Sequence, residues 1–128
     1  MAKRFSLRDK ALQSRHAVDL LSDKWRIAVI HILRDGPLRT GQIQRAITQI
    51  SPKMLTQTLR GMERDGLVGR QILNTSPPRV EYRLTQMGCS LIQPLITLCL
   101  WAKAHVAERD QARTRFDLAA RAPKPTRR

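Results

Sequence analysis

The sequence predicts a mainly α-helical chain with one small β-hairpin, and three observations carry that reading. Apolar residues recur at helical spacing in several separate stretches. The period shortens to two only between residues 68 and 84, and Gly, Pro and Asp mark the joins between stretches. With 128 residues the chain is long enough for one domain with a buried core and short for two.

Residues 10–21 place Ala17, Val18, Leu20 and Leu21 at helical spacing, and Ser22 with Asp23 offers a cap for the next helix. From residue 25 to 33 the apolar residues Trp25, Ile27, Val29, Ile30, Ile32 and Leu33 leave almost no polar side, the mark of a helix enclosed by others. Asp35-Gly36-Pro37 stops it: glycine supplies a positive φ and proline blocks continuation. Leu38-Arg39 is a brief strand, after which Thr40 is expected to cap a short helix to Ile47, with Ile43, Ala46 and Ile47 inward. Thr48-Gln49-Ile50 makes a tight turn. Ser51-Pro52 then opens another helix, serine as N-cap and proline at the first helical position, where its missing N–H is no loss. Two helices across a tight turn form a helix-turn-helix.

The helix over residues 51–64 separates into two faces. Leu55, Leu59 and Met62 share one side, and Lys53, Thr56, Gln57, Arg60 and Arg64 fall within an arc of about 100° opposite. Beyond Asp65-Gly66 the strand-like residues 68–73 and 80–84 flank a loop, residues 74–78, that holds two prolines. This hairpin is a candidate wing, with Arg79 beside its loop. From Thr85 a long helix carries Met87, Leu91, Leu95, Leu98, Trp101 and His105 at a period near 3.6, and Pro94 is expected to bend or divide it. Ile92, Ile96, Cys99 and Leu100 add apolar residues on adjoining faces, more than one small subunit can hide, so a second copy is expected to cover Leu91, Leu95, Leu98 and Trp101. The domain reading is a basic N-terminal arm over residues 1–9, a winged helix-turn-helix domain with N- and C-terminal dimerisation helices over 10–108, and a basic mobile tail over 109–128.

Charge indicates the partner. Lys and Arg number 24 against 10 Asp and Glu, a formal +14, and the body between residues 11 and 108 is itself +6. A basic surface of this kind gains by neutralising phosphates and releasing counterions, which favours double-stranded DNA. Lys53, Thr56, Gln57 and Arg60 are the candidates for base edges, because Lys and Arg donate to guanine and Gln matches adenine. Arg39, Thr40, Ser51, Arg64 and Arg79 are the candidates for the backbone. The most apolar stretch, residues 91–101, is interrupted by Gln93 and Thr97 and is shorter than a membrane span, so no membrane partner is expected. The basic start leads into Arg8, Asp9 and Lys10 rather than an apolar run, so no secretory signal is read and a cytosolic place is expected, on the nucleoid when bound.

No paired carboxylates with a nearby His and no Gly-rich phosphate loop occur, so neither catalysis nor a cofactor is expected. The three His and two Cys lack metal-ligand spacing, which leaves no metal site. Cys89 and Cys99 fall on different faces of one helix and are expected to be buried structural residues. Trp25, His31 and Trp101 could hold a small aromatic effector, core packing being their other use.

The strings Asp23-Lys24-Trp25, Ser51-Pro52-Lys53-Met54-Leu55-Thr56, Glu63-Arg64-Asp65-Gly66-Leu67-Val68 and Pro77-Pro78-Arg79-Val80-Glu81-Tyr82 together resemble the HxlR-type family of bacterial transcriptional regulators, in that family's order, over residues 17–101. The resemblance implies a homodimeric winged helix-turn-helix regulator, with residues 51–64 as recognition helix and 67–84 as wing. Members similar to this chain carry a sensing cysteine in the first helix, about 13 residues before the Trp of the Lys-Trp pair. Leu12 stands there, which argues against thiol-based sensing. The expected activity is therefore sequence-specific binding of an inverted-repeat operator by a homodimer that represses transcription. The alternative is a non-specific architectural protein on DNA or RNA.

Overall fold

Capping side chains and glycines set the limits of the helices in the structure, a computed structural model that describes residues 7–21, 23–123 and 125. In chain order the elements are α1 (Leu7–Leu20), α2 (Lys24–Leu33), β1 (Leu38–Arg39), α3 (Thr40–Ala46), α4 (Pro52–Arg64), β2 (Val68–Leu73), β3 (Arg79–Leu84), α5 (Gln86–Ser90) and α6 (Ile92–Arg121). The chain divides into two compact units between residues 92 and 93.

The first unit is a winged helix. Asp23 caps α2 by accepting from the Arg26 N–H at 2.9 Å, while Ser22 lies outside the described residues. Gly36, with φ +143°, turns the chain out of α2, in a conformation that side chains rarely adopt. Arg39, not Thr40, occupies the N-cap of α3, and its backbone N–H donates to Gln42 Oε1 at 2.9 Å. Thr40 is thus the first helical residue, because the glutamine three residues after Arg39 closes the turn from inside the helix. Ile43 and Ile47 are buried as expected; Ala46 is exposed, one helical step outside their arc.

The brief strand at Leu38-Arg39 joins the hairpin in a three-stranded sheet, in the order β1-β3-β2, all antiparallel. Leu38 pairs with Tyr82, and Val68 with Leu84, so these four residues share one face of the sheet. Ile30, Ile43, Leu55, Leu59, Met62 and Leu67 are almost wholly buried, and each such side chain contributes about 1.5–3 kcal/mol. Thr85 starts α5: its hydroxyl accepts from the Gly88 N–H at 3.0 Å and donates to the Gly66 carbonyl. Gly88 itself has no room for a side chain, since a Cβ there would stand 2.1 Å from the Leu67 carbonyl oxygen.

α1 presents only exposed side chains where these are described, among them Leu12, Val18 and Leu20. It begins at Leu7, so the last three residues of the expected arm are helical and residues 1–6 lie outside the described part. The long helix is divided, as the proline suggested, but at Leu91, which leaves Pro94 in the first turn of α6. There its missing N–H breaks no hydrogen bond.

α6 spans 30 residues and ends at Arg121. Residues 109–121, expected to be a mobile tail, are therefore helical; they hold no Pro or Gly and are rich in Ala and Arg, which favour helix, until Pro123. The helical stretch Gln86–Arg121 is also long and apolar enough, by length and composition, to cross a membrane, with a mean hydropathy of 1.3 over 18 residues. The apolar length thus exceeds residues 91–101, because the stretch takes in Met87 and Cys89 before them and Ala102 and Ala104 after them, while length and composition alone leave the expectation about a membrane partner untouched. Cys89 and Cys99 are exposed, not buried: Cys89 lies on the short α5, and Cys99, one turn beyond Leu95 on the same side of α6, lies past the buried residue of that helix.

Candidate nucleic-acid interface

The site begins with the two ends of α4. At its start the Ser51 hydroxyl accepts from the Met54 N–H at 3.1 Å, and Pro52 sits at the first position. At its end Gly66 takes φ +76°, the Leu67 N–H donates to the Met62 carbonyl at 2.9 Å, and the Gly66 N–H donates to that of Glu63 at 3.0 Å. This paired closure satisfies carbonyls that would otherwise be orphaned. The turn before α4 is held as well, by Gln44 Nε2 donating to the Ile50 carbonyl.

Between these ends the buried face consists of Leu55, Thr58, Leu59 and Met62. Lys53, Thr56, Gln57, Arg60 and Arg64 are all exposed on the other side. Among the described residues, Lys53, Gln57 and Arg60 have no hydrogen-bond or ion-pair partner within the chain, so their donors are available to a ligand. Thr56 differs: its hydroxyl donates to the Pro52 carbonyl at 3.0 Å, leaving its lone pairs and methyl group for a partner. Thr58 went unrecognised in the sequence, since its hydroxyl points inward without a partner and its methyl group behaves as a core atom.

Arg26 is the second residue that pattern reading missed. Its guanidinium donates to Asp65 Oδ2 at 2.6 Å and to the Leu20 carbonyl at 3.0 Å, and its side chain is only 13% exposed. One cation thus joins the end of α1, the start of α2 and the C-terminus of α4. Gly61 gives it passage, since a Cβ there would approach the guanidinium to 2.8 Å. The signal in the sequence was a charge inside an otherwise apolar helix, past its first residue Lys24.

On the sheet, Arg39 pairs with Glu81, and alternation along β3 puts Arg79 and Arg83 on the same face as both. Arg83 was legible as the residue four after Arg79 in an alternating strand and was passed over. Arg79 is exposed at the base of the wing loop, which is braced by the Thr75 hydroxyl donating to the Pro77 carbonyl at 2.8 Å. Ser51 and Thr40 are exposed at the starts of their helices.

The residues expected between subunits divide. Leu98 and Trp101 are 54% and 61% exposed, Leu91 is half-buried, and Leu95 is only 2% exposed within the single chain. Leu95 therefore belongs to packing inside the protomer, because it lies toward the edge of the stripe that Leu98 centres. Of the suggested effector residues, Trp25 and His31 are half-buried on α2, with Lys24 Nζ 4.6 Å from the Trp25 ring centroid. Trp101 stacks on His105 at 4.6 Å on α6, where a groove runs past Ala102, Val106 and Arg109.

Comparison with known proteins places this geometry. Residues 20–110 match the model of the HxlR-like helix-turn-helix family. An HTH-type transcriptional regulator of Methanothermobacter thermautotrophicus is 42% identical over 96 residues, covering 75% of this chain and 73% of that protein. YkvN of Bacillus subtilis, likewise an HTH-type regulator, is 40% identical over 100 residues, 78% of this chain and 84% of its own. Among solved structures, a transcriptional regulator of the MarR family from Enterococcus faecalis superposes with TM-score 0.71 at 34% identity, covering 86% of this chain and 97% of that one. The reduced form of the regulator YodB from B. subtilis gives 0.64 at 33% identity, covering 77% and 92%.

Proposed function

The chain belongs to the HxlR-like helix-turn-helix family, a family of transcriptional regulators and not of enzymes, and from that premise we propose that it acts as a homodimer on an inverted-repeat operator in double-stranded DNA. The observation that carries this reading is the outer face of α4, where Lys53, Gln57 and Arg60 project unpaired from a helix fixed at both ends. Free donors on a rigid rod that fits the major groove can discriminate bases, with Thr56 offering its methyl group to a thymine. Arg39, Thr40, Ser51, Arg64 and Arg79 hold the phosphate backbone and set the register.

Exposed Leu12, Val18 and Leu20 on α1 and Leu98 and Trp101 on α6 supply the subunit interface. A bilayer is a poorer occupant of α6, because Gln93, Thr97, Lys103 and Arg109 interrupt its surface, whereas a span must be apolar all round. The working place is the cytosol, where the DNA is. A dimer seated on a promoter excludes polymerase from it, so repression is the proposed outcome.

Footprinting the purified protein on fragmented genomic DNA tests the reading. The expected result is a recurrent palindrome bound about 1,000-fold or more above random duplex at the same salt. Equal affinity for palindrome, random duplex and RNA would instead establish the architectural alternative.

A further inference from the structure

The family match ends at residue 110, yet α6 continues to Arg121. We propose that this extension, residues 111–121, continues the subunit interface and packs Phe116 against a second copy of this chain. The inference rests on the dimer reading above and adds a segment that the family core does not include.

Phe116 is 73% exposed, the most exposed of the large apolar residues among those described. Its position is not arbitrary. Leu98, Ala102, His105, Ala112, Phe116 and Ala119 share a narrow arc of α6, and at 100° per residue Phe116 returns to the azimuth of Leu98 after five turns, about 27 Å further on. The stripe is therefore continuous with the face assigned to the dimer. Its alanines allow close approach of a neighbouring helix, and Phe116 supplies the large group at the far end. Arg109 lies within the stripe, with its guanidinium 3.4 Å from the Asp110 carboxylate.

Extent and charge both favour a second copy. From Leu98 to His105 the stripe is about 11 Å long, whereas to Ala119 it is about 32 Å, and stable interfaces need about 800 Å² from each partner. Both signs of charge border the stripe, with Arg113 and Arg115 standing between Asp110 and Asp117 and Arg121 at the helix end. Mixed charges beside an apolar seam suit self-association.

The test is sedimentation equilibrium of the full chain, with circular dichroism as a check on helicity. Phe116→Asp should raise the dimer dissociation constant about tenfold or more. Leu118→Asp alters a residue that is 64% exposed but lies about 160° away around the helix, and should leave it unchanged. Ala112→Glu, on the same stripe, should act like Phe116→Asp and decides the matter if that variant loses helicity. A dimeric parent whose Phe116→Asp and Ala112→Glu forms stay equally dimeric would overturn this inference and leave the dimer standing. A monomeric parent would remove the dimer reading itself. Equal weakening by Leu118→Asp would show that the stripe is not the contact.

Discussion

Gly88 shows how much of this fold depends on single atoms. Its Cα lies against the backbone of Leu67, the residue that also accepts from the Thr85 N–H at 3.0 Å, so the start of α5 and the exit from α4 are in direct contact. A methyl group at 2.1 Å from a backbone oxygen cannot be relieved by a side-chain rotation. Gly88→Ala should therefore lower stability by about 1–3 kcal/mol, at the upper end of what overpacking does. Gly41, in α3, has nothing within 4 Å of its would-be Cβ, and Gly41→Ala should raise stability by about 0.5–1 kcal/mol. Thermal unfolding of the two variants checks both, and a Gly88→Ala melt equal to the parent's would mean that the close approach is absent. Neither difference was legible in the sequence. Both glycines sit in helical patterns, and only the neighbouring backbone distinguishes them. Arg26 was hidden for a related reason: pattern reading sees a charge in an apolar helix but not the carboxylate 39 residues later that accepts its hydrogen bond.

At the level of elements, what proved legible was whatever local chemistry decides. Ser51-Pro52 and Asp65-Gly66 set the ends of α4, and period alone separated its buried Leu55, Leu59 and Met62 from its exposed Lys53, Gln57 and Arg60. Where two neighbouring residues compete for one role, as Arg39 and Thr40 do at the start of α3, the sequence chose wrongly because the deciding group is the Gln42 side chain. The end of α6 was misread because Arg-rich composition was weighed above the absence of helix breakers. Helix and wing should differ in what their loss does to binding. Arg60→Ala removes a donor from the reading face and should weaken operator binding by about 1–3 kcal/mol while relaxing preference at one base pair. Arg79→Ala removes a phosphate contact and should weaken all sequences alike, reducing the salt slope by about one. Fluorescence anisotropy over an operator mutant series and a salt titration separates these outcomes. A sequence-blind loss for Arg60→Ala would mean that α4 lies on the backbone and not in the groove.

For the molecule as a whole, charge and symmetry make different demands on DNA. The +14 charge attracts any duplex irrespective of its sequence, so charge alone cannot select a site. Selection needs two copies of α4 held at a fixed separation, which a protein two-fold can match only to a two-fold in the operator. Half-sites should then lie about one helical turn apart, centre to centre, near 10 bp. Inserting about 5 bp between them turns one half-site to the opposite side of the duplex while leaving every base contact and every phosphate chemically intact. A rigid dimer can then engage only one half-site, and affinity should fall towards the level of random duplex, roughly 1,000-fold. A pair of independently bound monomers would lose almost nothing. Since the proposed dimer is what would fix that separation, the insertion tests it as directly as it tests the reading helix, and a retained affinity would count against the dimer even if every base contact proved correct.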